Sequence, residues 1–260
     1  MRQLIILALC GTLPALGWGP EGHNLVARLA AERLTPAAAA RVAQILGPET
    51  SMQSISVWPD QIRRDRPETG PWHYIDIPIE KPHLEMARDC PKGDCVIAKI
   101  EEFRRVVADP AVTDTQRKEA LMFLVHFVGD MHQPLHCANN NDRGGNDVKL
   151  DVFGRPSNLH GLWDVWLLER MGQEDALFPQ FSAELTEERS RKWGQGTVEE
   201  WAEESHKAAS DVVYGKLPKA PAGGRVTVDA EYERLAAPVI REQIEKAGAR
   251  LAMLLNATLR

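Results

Sequence analysis

The chain has 260 residues, of which 43% are hydrophobic and 26% charged, a composition ordinary for a globular protein and long enough to bury a sizeable core. Its formal net charge is −6 and it holds no basic run, which argues against the usual broad phosphate-binding groove. Bound divalent cations would invert the local field, so an anionic substrate is still allowed.

Residues 1–17, MRQLIILALCGTLPALG, join a positive Arg2 to an apolar run and a small-residue end. This reads as a secretory signal peptide, too short to span a bilayer, and a retained anchor is the alternative. No later run of about 18 apolar residues follows. The expectation is a secreted or periplasmic protein without a membrane segment once the leader is removed, with residues 18–260 as one domain. Cleavage after Gly17 would make Trp18 the N-terminus. Its free amine and carbonyl can chelate a metal, and His23 is close enough in sequence to join them.

Residues 22–34 carry Leu25, Val26, Leu29 and Ala30 at helical spacing. Thr35 and Pro36 give an N-cap and a first-turn proline for a second helix over 37–46, which Gly47-Pro48 stops. Residues 54–64 read as a short helix with Trp58 and Asp60. Residues 72–78, WHYIDIP, alternate and are β-branched, which predicts an extended segment. Cys90 and Cys95 bracket a Pro/Gly turn and are expected to pair in an oxidising compartment. Cys10 leaves with the leader, so Cys137 is odd: a buried thiol or an occasional metal contact.

A helix is predicted over 96–108 with Ile97, Ile100, Phe103 and Val107 inward. Thr113 and Gln116 make a capping-box signal for a long helix through Met131, apolar on more than one side and therefore central. Pro134 should kink or end it. Residues 139–145 are a polar loop, 148–153 a short ribbon, and Ser157 caps a helix over 159–171. Residues 184–214 are helical with a break near 194–196, 216–224 form a Pro/Gly linker, and a last helix runs over about 229–259. The fold class is all-α, one domain, with little strand. Asn256-Ala-Thr258 is a glycosylation sequon.

Chemistry concentrates in His126-Phe-Val-Gly-Asp130-Met-His-Gln-Pro-Leu-His136. His126 and Asp130 are four apart, on one helical face, and both can grip one cation. Asp130 has two oxygens and can serve a second metal. A straight helix would turn His136 away, but the break at Pro134 frees it. His160 and Asp164 repeat the i, i+4 pattern, while Asp60 and His73 lie upstream. With Trp18 and His23 this makes nine donor residues. Imidazole and carboxylate without thiolate suit zinc, with manganese or iron also compatible, and a carboxylate-rich set leaves room for water and substrate. A single histidine is more often a satisfied core or surface residue, the reading kept for His83 and His206. His132 falls on roughly the opposite face from Asp130 and reads as packing around the ligands.

These residues carry a resemblance. Trp18…His23, Trp-Pro-Asp60-Gln-Ile-Arg63, Trp-His73-Tyr-Ile-Asp76, His126-x3-Asp130-x-His-Gln-Pro-Leu-His136, Gly144-Gly145-Asn146 and His160-Gly-Leu-Trp-Asp164 are similar to the secreted trinuclear-zinc nucleases of fungi and plants. The resemblance runs from Trp18 to at least Trp166; the C-terminal third matches only in helical character. It implies a helical fold shared with zinc-dependent phospholipase C, three Zn2+ per chain, and hydrolysis of single-stranded RNA and DNA to 5′-nucleotides with 3′-nucleotidase activity. One zinc would take Asp60, His73, His126 and Asp130. A second would take Trp18, His23 and the other oxygen of Asp130, and the third His136, His160 and Asp164. Arg63, with Asp60, is then a catalytic candidate, donating to the phosphoryl group. Tyr74, Asp76 and Asn146 are candidates for nucleotide contact, stacking being tolerant of base identity. The protein is expected to be a monomer. The alternatives are a phospholipase C, which the resemblance disfavours because that branch uses Glu where Asp164 stands, and a non-enzymatic zinc-binding protein.

Overall fold

A computed structural model describes residues 17–152, 154–221 and 224–260. The expected leader lies outside these except for Gly17, as do Phe153 of the expected ribbon and residues 222–223 of the linker.

Helix α1 (Pro20–Ala31) opens on a first-turn proline and buries His23, Leu25, Val26, Leu29 and Ala30. Helix α2 (Pro36–Leu46) is capped by the Thr35 hydroxyl, which accepts from the Ala38 amide, and ends at Gly47 with φ 91°. The single short helix expected over 54–64 is two: α3 (Met52–Ile55), with a Ser51 capping box, and α4 (Trp58–Ile62), which starts with Pro59 at its first turn. Pro59 cannot continue an existing helix from the turn before it, so the chain breaks and restarts.

The extended segment begins later than the alternation suggested. Trp72 and His73 finish a 3-10 turn over Pro67–His73, because Pro67 and Pro71 fix turn-like φ values. From Tyr74 the chain is extended, with Ile75 and Ile77 buried and Tyr74 and Asp76 exposed on the opposite face. Helix α5 (Met86–Asp89) precedes the disulfide Cys90–Cys95.

Helix α6 (Val96–Ala108) lies where its periodicity placed it, and it packs on α7 (Asp114–Met131). The capping box at Thr113 and Gln116 is formed. Every residue of α7 from Phe123 to Met131 is buried, so this is the central helix. It stops three residues before Pro134, whose ring disfavours helical geometry at the preceding residue; Gln133 is accordingly extended (φ −79°, ψ 116°) before a 3-10 turn over Pro134–Cys137.

The ribbon is β1 (Lys149–Val152) paired antiparallel with β2 (Arg155–Asn158). A third strand not expected from the sequence, β3 (Val226–Thr227), pairs parallel with β1. Ser157 belongs to β2 and does not cap the next helix; Asn158 does, its side-chain oxygen accepting from the Gly161 amide at 2.7 Å. The predicted helix over 159–171 is composite: α8 (Leu159–Gly161), a π-turn over Leu162–Trp166, and α9 (Leu167–Met171).

Helix α10 (Glu174–Glu184) was not anticipated; it contains Pro179 and buries only Leu177 and Phe181, too few apolar positions to mark a face. Helices α11 (Glu187–Trp193) and α12 (Val198–Ala208) straddle the expected break, and α12 runs into a π-turn over Ala209–Tyr214. Helix α13 (Ala230–Thr258), capped by Asp229, lies against α1, α7 and α11. No helix among the described residues is long and apolar enough to cross a membrane.

Candidate metal centre

Three elements converge on α7 near its C-terminal end. Its Gly129 leaves room for His23 of α1: a β-carbon at 129 would sit 2.8 Å from His23 Nδ1. The His23 ring therefore stacks on His126 with centroids 3.9 Å apart. From the other side the 3-10 turn before Tyr74 delivers His73, whose Nδ1 is 2.8 Å from Asp130 Oδ2 and 3.1 Å from His126 Nε2. Asp60 of α4 brings Oδ1 to 3.7 Å from both His73 Nδ1 and His126 Nε2. Asp130 closes the cluster, with Oδ2 3.1 Å from His126 Nε2 and Oδ1 3.5 Å from His23 Nε2.

The break at Pro134 places His136 at the edge of the same cluster, with Nδ1 3.5 Å from Asp130 Oδ1. Its Nε2 is 3.2 Å from His160 Nε2, and His160 Nε2 is 3.4 Å from Asp164 Oδ2. Three groups result, each with donor atoms within 4.8 Å of one another: His23, Asp60 and His126; His73, His126 and Asp130; His136, His160 and Asp164. Eight of the nine donor residues expected from the sequence thus come together through their side chains. They are drawn from positions 23 to 164.

Three of the histidines are oriented by the backbone. Nδ1 of His126 donates to Ser56 O (2.7 Å), Nδ1 of His136 to His73 O (2.7 Å) and Nδ1 of His160 to Gly144 O (2.6 Å). A carbonyl can only accept, so Nδ1 carries a proton and, in the neutral ring, Nε2 is left with a lone pair facing the cluster. Gly144, at φ 60°, is needed for this: a β-carbon there would lie 2.9 Å from Leu135 O and 3.5 Å from His160 Nδ1. The three carbonyls carry no side-chain signature and were not foreseen.

Burial dominates the electrostatics. It lowers the pKa of His23, His73 and His160, and takes His136 down to about 3 against the attraction of Asp130. Burial works the same way on His126, but the Asp130 and Asp60 carboxylates outweigh it and raise His126 to about 9. Burial also opposes charge on Asp130, yet His126 beside it keeps that carboxyl well below its usual range. Asp164 goes the other way, raised well above the usual range by burial despite a hydrogen bond from Gln133.

The donors fit divalent metal. His23 Nε2, Asp60 Oδ1 and Asp130 Oδ1 are buried within the cluster without a hydrogen-bond partner, costly orphans that ligation would relieve. Imidazole and carboxylate are the donor types of catalytic zinc sites. The ninth donor, Trp18, is fully buried, and its neighbour Gly19 donates to Asp164 O at 2.7 Å, which pins the N-terminal segment to the cluster. Gly17 presses directly on Asp130: a β-carbon at 17 would fall 1.6 Å from Asp130 Oδ1.

Around the cluster, Arg63 Nη1 is 3.9 Å from Asp60 Oδ1. Tyr74 is exposed on the extended segment that follows His73, and Asp76 shares its face. Asn146 turns its amide back on its own loop, donating to Arg143 O at 2.9 Å.

The remaining histidines stay outside. His132 Nδ1 donates to Val128 O, and its Nε2 accepts from Arg250 at 2.9 Å. His206 is buried between Cys137 O and Lys81 O, and His83 is exposed beside Glu203. Cys137 is a buried thiol, its pKa pushed up by burial and its Sγ bonded to Met131 O. Asn256 of the sequon is engaged at both ends of its amide, accepting from Thr35 N and donating to Arg33 O.

The family model for S1/P1 nucleases matches residues 18–260, so the likeness extends through the C-terminal third, where the sequence pattern alone had offered only helices. Endonuclease 2 of Arabidopsis thaliana is 30% identical over 92% of this chain and 90% of its own length. Endonuclease 1 of the same plant is 32% identical over 96% and 90% respectively. Nuclease P1 of Penicillium citrinum is 35% identical over 59% of each chain.

Proposed function

The chain belongs to the S1/P1 nuclease family and is a hydrolytic nuclease, and from that premise we propose a secreted or periplasmic zinc enzyme that cuts single-stranded RNA and DNA to 5′-nucleotides and removes 3′-phosphates. The observation that carries the reading is Asp130, whose two oxygens face different histidines at the centre of one buried donor cluster. Asp60, His73, His126 and Asp130 Oδ2 would hold one ion. Trp18, through a free amine and its carbonyl, would hold a second with His23 and Asp130 Oδ1. His136, His160 and Asp164 would hold the third. Zinc bound there supplies a water of lowered pKa and positive charge beside the phosphoryl oxygens.

The chain's own residues do the rest. Asp60 anchors both a ligand set and the guanidinium of Arg63, which donates to phosphoryl oxygens as charge develops on them. Tyr74 offers a base an exposed aromatic face next to His73, and Asp76 on the same face accepts from the base edge. Asn146, with its amide nitrogen used, offers its side-chain oxygen. A paired base cannot reach such a platform without leaving the helix stack, so single strands are favoured over duplex. The protein acts as a monomer, residues 1–17 being its export leader.

The test is a side-by-side digestion of single-stranded RNA, single-stranded DNA, duplex DNA, a 3′-nucleotide and phosphatidylcholine, with and without chelator. Chelator-sensitive cleavage of the single strands and the 3′-nucleotide is expected. Cleavage of phosphatidylcholine in their place would overturn the assignment.

A further inference from the structure

Gln133 sits between His132 and Pro134 and was not among the residues expected to matter. It is fully buried. Because Pro134 holds it extended, its backbone reaches two ligand residues at once: its N–H donates to Asp130 O at 2.9 Å, and its carbonyl accepts from His136 N at 2.9 Å. Its side chain reaches a third. The Leu135 amide, 2.6 Å from Gln133 Oε1, can only donate, so the oxygen of the Gln133 amide must face it. The NH2 group then faces Asp164, with Nε2 2.5 Å from Oδ1.

This fixes how Asp164 presents itself. Oδ1 is occupied by the amide, while Oδ2 faces His160 Nε2 at 3.4 Å. We propose that Gln133 is a positioning residue for the His136–His160–Asp164 set, holding Asp164 Oδ1 so that only Oδ2 is offered to the ion. A carboxylate held to one oxygen leaves more of the ion's coordination sphere for water and substrate. Partners of this kind around metal ligands change metal affinity by about 10–100-fold when removed.

The inference rests on the three-ion reading above, and the experiment separates the two. Zinc is titrated into the chelator-stripped chain beginning at Trp18, against a competing chromophoric chelator, for wild type, Asp164→Asn, Gln133→Glu and Gln133→Met. Gln133→Glu keeps an acceptor for the Leu135 amide, removes the donor toward Asp164 and sets a second carboxylate against it. Gln133→Met removes both without adding charge. The equivalent of zinc lost in Asp164→Asn should weaken about 10–100-fold in both Gln133 variants, with the other two equivalents unchanged. A purely structural role would instead weaken all three together and lower the melting temperature of the metal-free chain, and that result overturns the proposal. Three equivalents held by both variants as tightly as by wild type also overturn it, while leaving the three-ion reading intact. A wild-type chain that takes up only two equivalents overturns the reading and this inference with it.

Discussion

Asp130 stands between two imidazoles that meet different oxygens: His126 Nε2 is 3.1 Å from Oδ2, and His23 Nε2 is 3.5 Å from Oδ1. The His126 contact is the i, i+4 geometry of one helix, and the His23 contact is made across helices through the gap left by Gly129. Each side of the carboxylate can therefore serve its own ion.

The histidines of the same cluster shape the pH response of the metal-free protein. His126 is raised to about 9, so its contribution is fully present below its unfolded value near 6.5 and is lost as pH rises through 9. His23, His73, His136 and His160 are lowered, so theirs is full above about 6.5 and is lost as pH falls. In urea unfolding of chelated protein the histidine contributions should be largest together near roughly pH 6–7, while Asp164, raised by burial, takes stability away as pH rises above the usual carboxylate range. Replacing His126 by Asn should shrink the decline between about pH 6.5 and 9, by up to about 3 kcal/mol. A decline of wild-type size in that variant would contradict the assignment.

Residue 17 lies against Asp130, and a peptide bond to Trp18 removes the free amine. A chain extended by Gly17 alone should bind one zinc fewer than a chain beginning at Trp18 and lose activity by about a hundredfold or more. Metal content and single-strand cleavage on the two forms measure this. Equal content and activity would remove Trp18 from the ligand set.

Arg250 is buried on α13, donating to His132 Nε2, to Trp193 O and to Glu204 at 2.7 Å. Arg250→Met removes the donor to His132 Nε2 and Trp193 O, while Glu204 keeps Lys246, and should cost about 1–3 kcal/mol in urea unfolding. Metal content should stay at the wild-type value, because the His132 ring faces Val128 O and Arg250 and not the cluster. Loss of an ion in this variant would place His132 among the ligands.

Tyr74 is the exposed aromatic beside His73. Base stacking contributes about 1–3 kcal/mol, so Tyr74→Ala should weaken single-strand affinity by roughly 5–150-fold. Tyr74→Phe should restore it. The dissociation constant of a non-hydrolysable oligonucleotide reads this directly, and unchanged affinity in the Ala variant would place the base elsewhere.

Much of this was legible in the sequence because it is encoded locally. The capping box at Thr113, the periodicity of α6 and α7, and the His126–Asp130 pair are short-range patterns whose elements formed where the spacing put them; His160 and Asp164 meet across α8 and a π-turn instead of on one continuous helix. The chain order of donors found the cluster even though His23 and Asp164 lie far apart in sequence, because each type is chemically conspicuous. What stayed hidden has no conspicuous residue type. The carbonyls of Ser56, His73 and Gly144 that aim three imidazoles are backbone atoms, available at any position. Gln133 is a neutral amide whose role depends on Asp164, 31 residues away. The displaced start of the extended segment at Tyr74 came from two prolines winning over β-branched alternation, and β3 is only two residues long.

How many ions the chain holds, and where, decides between these readings. Anomalous diffraction at the zinc edge, on crystals of the chain beginning at Trp18, should show three peaks: one among Asp60, His73, His126 and Asp130, one between Trp18, His23 and Asp130, and one among His136, His160 and Asp164. Fewer than three peaks, or a peak without Asp130 at the junction of the first two, would contradict it.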